Sequence, residues 1–433
     1  MTPAAAVEDM AFVRRAGPRL LVSQPNAVQF GHLGMEMVMA LARAREEQAA
    51  IAFLRAPRVV NDGAFELESD QVDVRKLSPP AESWWRSRWM LDRLLAGLEE
   101  RGREFREDFW HEVGELAREE TWDPAMSPRL RRMLRSTKSY AGRQRPERMA
   151  AGDPYLKRRL IRTPVPVRLR PPAAERASAL AAAIGVPPGA PIVAVHAREA
   201  GWKRGREVQD KEYRGERQRD DSTRNVRIET YFAAIDCLVS RGFTVVRLGD
   251  ASMKPVRRPG VVDLALDPRR TPLLDVYVLL RSAFLLAGES GPSVFTLLTN
   301  TPTLTVNATD PISSFPIRRD WLFMLKRVID LKTGDTLTLS DMLGERYLEA
   351  LRDTYRFRYV ANTSQEIRDA VEEMLEFLES PPPESAGQSQ FRDDVTRQSV
   401  DLGTRHKYIR KWAADRGFLG DGRVAQCYLD RTP

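Results

Sequence analysis

The chain is poor in cysteine and histidine: 433 residues hold two cysteines, Cys237 and Cys427, and four histidines. Two distant thiols cannot build the disulfide framework of a small secreted fold, and no Cys/His spacing suits a zinc site. Long apolar runs are missing too. The most apolar stretch, TPLLDVYVLLRSAFLLAG, is interrupted by Asp275 and Arg281, so it does not suit a membrane span. The opening MTPAAAVEDMAFVRRAG carries Glu8 and Asp9 where a secretory signal would be basic or apolar, and a cytoplasmic location is expected. No Gly-x-Gly-x-x-Gly follows a strand, which argues against a dinucleotide-dependent dehydrogenase. No Asp-x-Asp pair stands at a strand end, so no metal site is expected. The formal charge of +8 comes from 68 basic residues set among 60 acidic ones. Mixed charges of this kind describe a solvated surface rather than a nucleic-acid stripe.

What is present is alternation. PRLLVSQPNAV (Pro18 to Val28) reads as a strand, FGHLGMEM as a glycine turn opening a helix to about Ala44, and AAIAFLRAP as a second strand, a βαβ start. From 83 to 120 the pattern is helical and charge-laced, with Trp84, Trp85, Trp89 and Trp110. Packing of an amphipathic helix accounts for it most simply, and a homo-oligomer contact or a peripheral membrane face is the alternative. Prolines in PYLKRRLIRTPVPVRLRPP suggest an interdomain connection. A second unit then alternates strand and helix from Ala173, closing with TLTVN and the capped helix TSQEIRDAVEEMLEFLES, where Thr363 or Ser364 is the N-cap and Glu366 its partner. PPPESAGQSQ reads as a linker, and the basic residues beyond it give no motif. The expected division is residues 1–172, with a helical insertion at about 83–120, then 173–380, then a linker and tail over 381–433.

Three strand ends of the second unit carry polar groups suited to phosphate. PIVAVHAR ends in His196 and Arg198, FTVVRLGD in Arg247, Gly249 and Asp250, and FLLAGESGPS in Glu289, Ser290, Gly291 and Ser293. In a parallel sheet such ends line one crevice, and residues distant in sequence meet there on a ligand. Gly288 and Gly291 are expected to free the backbone of the turn, with Pro292 opening a helix whose N-H groups face the ligand. A nucleoside diphosphate is the natural guest.

At residue level, HAREAGW (196–202), STRNVRIETYFAAIDCLVSRG (222–242), VVRLGDASMKP (245–255), GVVDLAL (260–266) and GESGPS (288–293) resemble, in order, the signature blocks of a family of bacterial glycosyltransferases. GHLGMEM (31–37) resembles its N-terminal glycine-turn block. That family is distantly similar to heptosyltransferases and O-fucosyltransferases. The resemblance implies the GT-B architecture, an α/β fold of two Rossmann-like, doubly wound domains facing a cleft. It also implies a nucleotide-diphosphate sugar as donor substrate, a hydroxyl-bearing acceptor, no cofactor, no metal, and inversion at the transferred sugar. The strong match covers about a quarter of the chain, and the loop 203–221 is longer and more charged than expected of the family.

Each candidate residue has a plain alternative. Arg198 and then Arg247 are the first choices for the leaving diphosphate, against structural ion pairs. Asp250 would orient an arginine or a ribose hydroxyl, and Lys254 would add charge or sit exposed. Arg224 and Asn225 are read as opening the helix after the loop, Asn225 as a ligand contact or a simple N-cap. Asp263 would hold base or ribose, or merely shape a turn. Glu289 and Ser290 would reach sugar or ribose hydroxyls and phosphate oxygens. His32 would accept the acceptor's proton or position substrate, Glu36 being the alternative base, and His196 would face the same cleft. Two other functions fit the same residues: a GT-B-fold nucleotide-sugar epimerase, and a non-catalytic nucleotide or nucleic-acid binding module.

Overall fold

A computed structural model describes residues 20–23, 25, 29–53, 55, 59–75, 158–200, 221–403 and 419–431. The Trp-rich stretch 83–120 and nearly all of the 203–221 loop lie outside the described residues. The described residues open with β1 (Leu20–Ser23), α1 (Phe30–Glu46) and β2 (Ala50–Phe53), the expected βαβ unit. Short strands β3 (Leu67–Glu68), β4 (Val74–Arg75) and β5 (Arg168–Leu169) follow, and β1-β2-β4 form a three-stranded parallel sheet.

Helix α2 (Pro171–Ala183) leads into the larger sheet. Its elements are β6 (Ile192–His196), α3 (Phe232–Ser240), β7 (Thr244–Arg247), β8 (Val261–Val262), α4 (Pro272–Arg281), β9 (Ser282–Ala287), α5 (Gly291–Thr299), β10 (Thr303–Ala308) and β11 (Leu322–Leu325). An antiparallel pair, β12 (Arg327–Asp330) and β13 (Phe357–Val360), precedes α6 (Ser364–Glu379) and α7 (Ala386–Gly403), and β14 (Arg423–Val424) is followed by one helical turn, Gln426–Leu429. The sheet order is β14-β11-β10-β9-β6-β7-β8, with every neighbouring pair parallel. From β6 the chain runs outward through β7 and β8, then returns to the other side of β6 as β9. That reversal is the topological switch point, where the ends of β6 and β9 diverge to opposite helix layers and leave a crevice.

Both faces of the sheet are covered, so central strands are buried along their whole length, as β6 and β10 show with five and six consecutive buried residues. Side chains alternate between two cores: Val193 and Val195 join the cluster beneath α3 and α6, while Ile192 and Ala194 join that of α2, α4 and α5. The second cluster continues without a break into Leu33, Met37, Ile51 and Phe53 of the N-terminal unit. Expected features recur at the periphery. Thr363 caps α6 and Glu366 returns the bond to the Thr363 N-H, a full capping box.

Three expectations are corrected. Residues 386–403 and 419–431, read as linker and tail, form α7 and the seventh strand, with Phe391, Val395, Val424 and Tyr428 in the core. Within the second unit's alternation GVVDLAL reads as a strand over Val261 to Leu266, but the strand there, β8, is only two residues long. Most consequentially, Gly31 and Gly34 form no turn but lie in the first turns of α1. Their role is close approach. A Cβ on Gly34 would stand 2.8 Å from the Phe295 Cα, and one on Gly31 would stand 3.1 Å from the Gly291 Cα, so α1 lies directly against α5 with both helix starts at the same end. Phe30 stacks on Phe295 at 4.1 Å between ring centroids, completing the contact.

Replacing a helical glycine by alanine normally strengthens the helix by about 1 kcal/mol. Here Gly34→Ala should instead destabilise by about 1–3 kcal/mol, because the methyl meets backbone that cannot step aside without moving α5. Denaturant unfolding of the two proteins checks this; a more stable variant would mean that the helices are not in contact.

Candidate functional site

The carboxyl ends of the strands assemble most of the candidates. His196 closes β6 and pairs in register with Ala287, the last residue of β9. It is only 7% exposed, its Nδ1 has no hydrogen-bond partner among the described residues, and burial together with the nearby Arg247 lowers its pKa to about 4. Asp250, Arg198 and Arg270 also act on it electrostatically, so two strand-end groups and the residue before the Thr271 cap of α4 share one neighbourhood. A neutral, buried imidazole cannot be the cationic clamp of a phosphate at neutral pH; it can offer one nitrogen as a hydrogen-bonding group.

Arg247 is in place but committed to the protein. It is 1% exposed, and one terminal nitrogen donates to the Lys254 carbonyl at 2.5 Å and to both Asp263 oxygens at 3.2 Å, the other to Glu199 at 2.9 Å. Asp263 also accepts from the Val256 N-H at 2.8 Å, and Glu199 from the Lys254 N-H at 3.1 Å. Arg247, Asp263 and Glu199 therefore brace the loop after β7, and this favours the structural alternative for both Arg247 and Asp263. The exposed Lys254 ammonium lies 4.0 Å from Glu229, so this residue meets the arginine through its backbone. Asp250 accepts from the N-H and hydroxyl of Ser252, an Asx-type turn. Gly249 leaves room for the Met253 sulfur, 2.2 Å from where a Cβ would stand.

Arg198 is half-buried, and its Nη1 donates to Asn225 Oδ1 at 2.6 Å. Asn225 does not cap a helix: it follows the 3-10 turn Asp221–Arg224, and the next turn begins at Ile228 after Arg227. Its side chain is a holder for Arg198, and the Val226 N-H reinforces this by donating to the Arg198 carbonyl at 3.0 Å.

Glu289 points into protein. Its two oxygens accept from the Thr309 hydroxyl at 2.6 Å, the Asp310 N-H at 3.0 Å, the Ser314 hydroxyl and Arg352 at 3.2 Å. Burial would push this carboxyl up, but Arg352 and the hydroxyls outweigh burial and hold it below the ordinary range, so it stays ionised. Such a carboxylate fastens the β9 end to the β10 end. Ser293 donates to the Gly288 carbonyl at 2.6 Å and lies 3.2 Å from the Ser290 hydroxyl, which ties the turn together. Neither Gly288 nor Gly291 has a positive φ. Gly291 is small for a different reason: a Cβ there would stand 3.2 Å from the Gly31 N.

The starts of α1 and α5 thus meet at Gly31 and Gly291, beside the switch point. Neither start has a side-chain cap bond or an acidic residue in its first turn. The first N-H groups of a helix have no intrahelical partner, and the two macrodipoles place partial positive charge at one spot. His32, third residue of α1, and Glu36, one turn later, are half-buried on one side of that helix.

Sequence reading missed Lys326, which follows β11 directly. It is 3% exposed, and its ammonium donates to the Thr223 and Asn225 carbonyls at 2.7 and 3.0 Å. WLFMLK carries the same signal as the other strand ends, an apolar run closed by a cation, but was not read as a strand. Arg352, Thr309 and Asp310 had no such signal, since their roles depend on where Glu289 points.

No protein-family model matches the chain, and no curated protein sequence does. Among solved structures it is similar to a glycosyl transferase family 9 protein from Veillonella parvula, with 9% identity over 67% of this chain and 80% of that one, at a TM-score of 0.33. It is also similar to the E. coli ADP-heptose lps heptosyltransferase II, with 12% identity over 66% and 84% of the two chains and a TM-score of 0.32. NodZ alpha-1,6-fucosyltransferase shares 13% identity over 65% of this chain and 92% of that one, at a TM-score of 0.27.

The depressed pKa of His196 makes stability depend on pH. The unfolded chain takes up a proton near pH 6.5, whereas the folded protein resists it until about pH 4. Stability present at neutral pH is therefore lost as pH falls through that window, on the order of 3 kcal/mol for this group. Unfolding free energies of wild type and His196→Asn, measured from pH 7 to 4, should differ in slope accordingly. Parallel curves would mean that His196 titrates normally.

Proposed function

We propose that this protein is a glycosyltransferase of the GT-B type, transferring a sugar from a nucleotide-diphosphate sugar to a hydroxyl acceptor with inversion and without a metal. The observation that carries the proposal is the meeting of the α1 and α5 starts at Gly31 and Gly291, beside the β6/β9 switch point and the Arg198 strand end. Helix N-termini and a guanidinium are the groups that stabilise a diphosphate as negative charge grows on it. In the proposed step the acceptor oxygen attacks the anomeric carbon and gives up its proton to His32, or to Glu36 in its place. The bond from that carbon to the diphosphate oxygen breaks, and the nucleoside diphosphate leaves with the electron pair. Arg198 is assigned to the diphosphate oxygens. His196 is assigned as a neutral hydrogen-bonding group in the crevice, while Arg247, Asp263 and Glu289 hold the loops around it.

Two measurements test this reading. ADP, GDP and UDP should be titrated into the full chain by calorimetry and thermal shift, since a ligand at 100 times its dissociation constant adds about 2.7 kcal/mol of stability. At least one should bind, Arg198→Ala should weaken it, and Arg198→Lys should restore little because an ammonium lacks the planar fork. No binding by any of the three would remove the basis of the proposal. With a transferable donor in hand, turnover should survive EDTA, and His32→Ala should keep nucleoside diphosphate affinity while turnover falls roughly 100-fold to 10,000-fold. A His32→Ala protein with full turnover would move the base to Glu36.

A further inference from the structure

Lys326 carries an expensive arrangement for which neither the fold nor the transfer chemistry accounts. An ammonium 3% exposed at a strand end costs desolvation, and an apolar side chain of similar length would fill the site more cheaply. Its two hydrogen bonds select particular carbonyls, those of Thr223 and Asn225, which flank Arg224 in the turn after β6. The same Asn225 accepts from Arg198 through its side chain at 2.6 Å, and the next residue, Val226, bonds the Arg198 backbone. Lys326 itself is anchored by its N-H to the Ala308 carbonyl at 2.7 Å, and the adjacent Leu325 carbonyl accepts from Asn362. The lysine therefore stands on the sheet and holds the turn, and the turn holds the arginine.

We propose that Lys326 is a positioning residue that sets the orientation of the Arg198 guanidinium through the 223–226 turn, linking the end of β11 to the end of β6 across the mouth of the switch point. It touches no substrate in this role. Its ammonium, lowered to about 8 by burial, keeps two N-H groups in either protonation state, so both carbonyl bonds survive its titration. Of the groups facing it, Glu289 favours its charge and Arg198 opposes it. Removing the lysine should leave Arg198 present but less firmly oriented, and a contact that needs a two-pronged approach then loses its preorganisation.

The consequence for ligand binding rests on the function proposed above, and the experiment separates the two. Lys326→Met keeps the stem and removes the donors. In calorimetry with ADP, GDP and UDP, Lys326→Met should weaken the nucleoside diphosphate that binds wild type by on the order of 10-fold. Arg198→Ala should weaken it more, and the double variant no further than Arg198→Ala alone, because the two residues act as one unit. Additive losses, or wild-type affinity in Lys326→Met, would overturn the proposal. A second readout needs no ligand. The Arg198 side-chain nitrogen signals in NMR, assigned by their loss in Arg198→Lys, should be split and slow to exchange in wild type. They should collapse toward a rotating guanidinium in both Lys326→Met and Asn225→Ala, the latter leaving the core untouched. Unchanged Arg198 signals in Asn225→Ala and Lys326→Met would refute the link whatever the chain binds, while collapsed signals without nucleotide binding would keep the link and sink the glycosyltransferase reading.

Discussion

Gly31 and Gly291 touch where a side chain on either would push two helices apart, and the rest of the site depends on that approach. The contact brings the start of α1 to the start of α5, and α5 springs from the end of β9 at the switch point of the larger sheet. Two helix N-termini thereby lie at one location. The same contact makes the apolar core on that face of the sheet continuous with the N-terminal unit, so Leu33, Met37 and Phe295 belong to one cluster. Packing and electrostatics are served by the same pair of missing side chains.

Around that point the charged residues divide by burial. Arg247 and Glu289, both buried, spend their hydrogen bonds on the loops that follow β6, β7 and β10. A buried ion is retained only when its partners are close and well aligned, and a residue so occupied cannot also serve a ligand without breaking those bonds. Arg198, half-buried and oriented by Asn225, is the cation that the proposed function assigns to the diphosphate. Rigid loops held by buried ions and one oriented guanidinium near the surface are what a preorganised charge-stabilising site requires.

Legibility in the sequence followed how local each cause was. The strands of the larger sheet that alternate with helices showed themselves as apolar runs, and their polar closing residues, His196, Arg247 and Glu289, do stand at the carboxyl edge. The Thr363–Glu366 capping box was legible because it spans four residues. Misreadings arose where the cause is a distant partner. Gly31 and Gly34 look like a turn in sequence and are small because Gly291 and Phe295 lie against them. Asn225 looks like a cap and is a holder of Arg198. The last strand, β14, is two residues long and has no periodicity to reveal; it exists because β11 offers an edge.

Sequence alone determined the class of fold, the strand ends where polar chemistry collects and the kinds of group available there, because hydrophobic period and chain punctuation are local properties. Only the tertiary structure decided which of those groups are spent on the protein and which face the crevice. That choice depends on burial and on partners more than fifty residues away, such as Lys326 at the Asn225 turn and Arg352 at Glu289. A buried polar group must be satisfied where it lies, and where it lies is set by the packing of the whole chain.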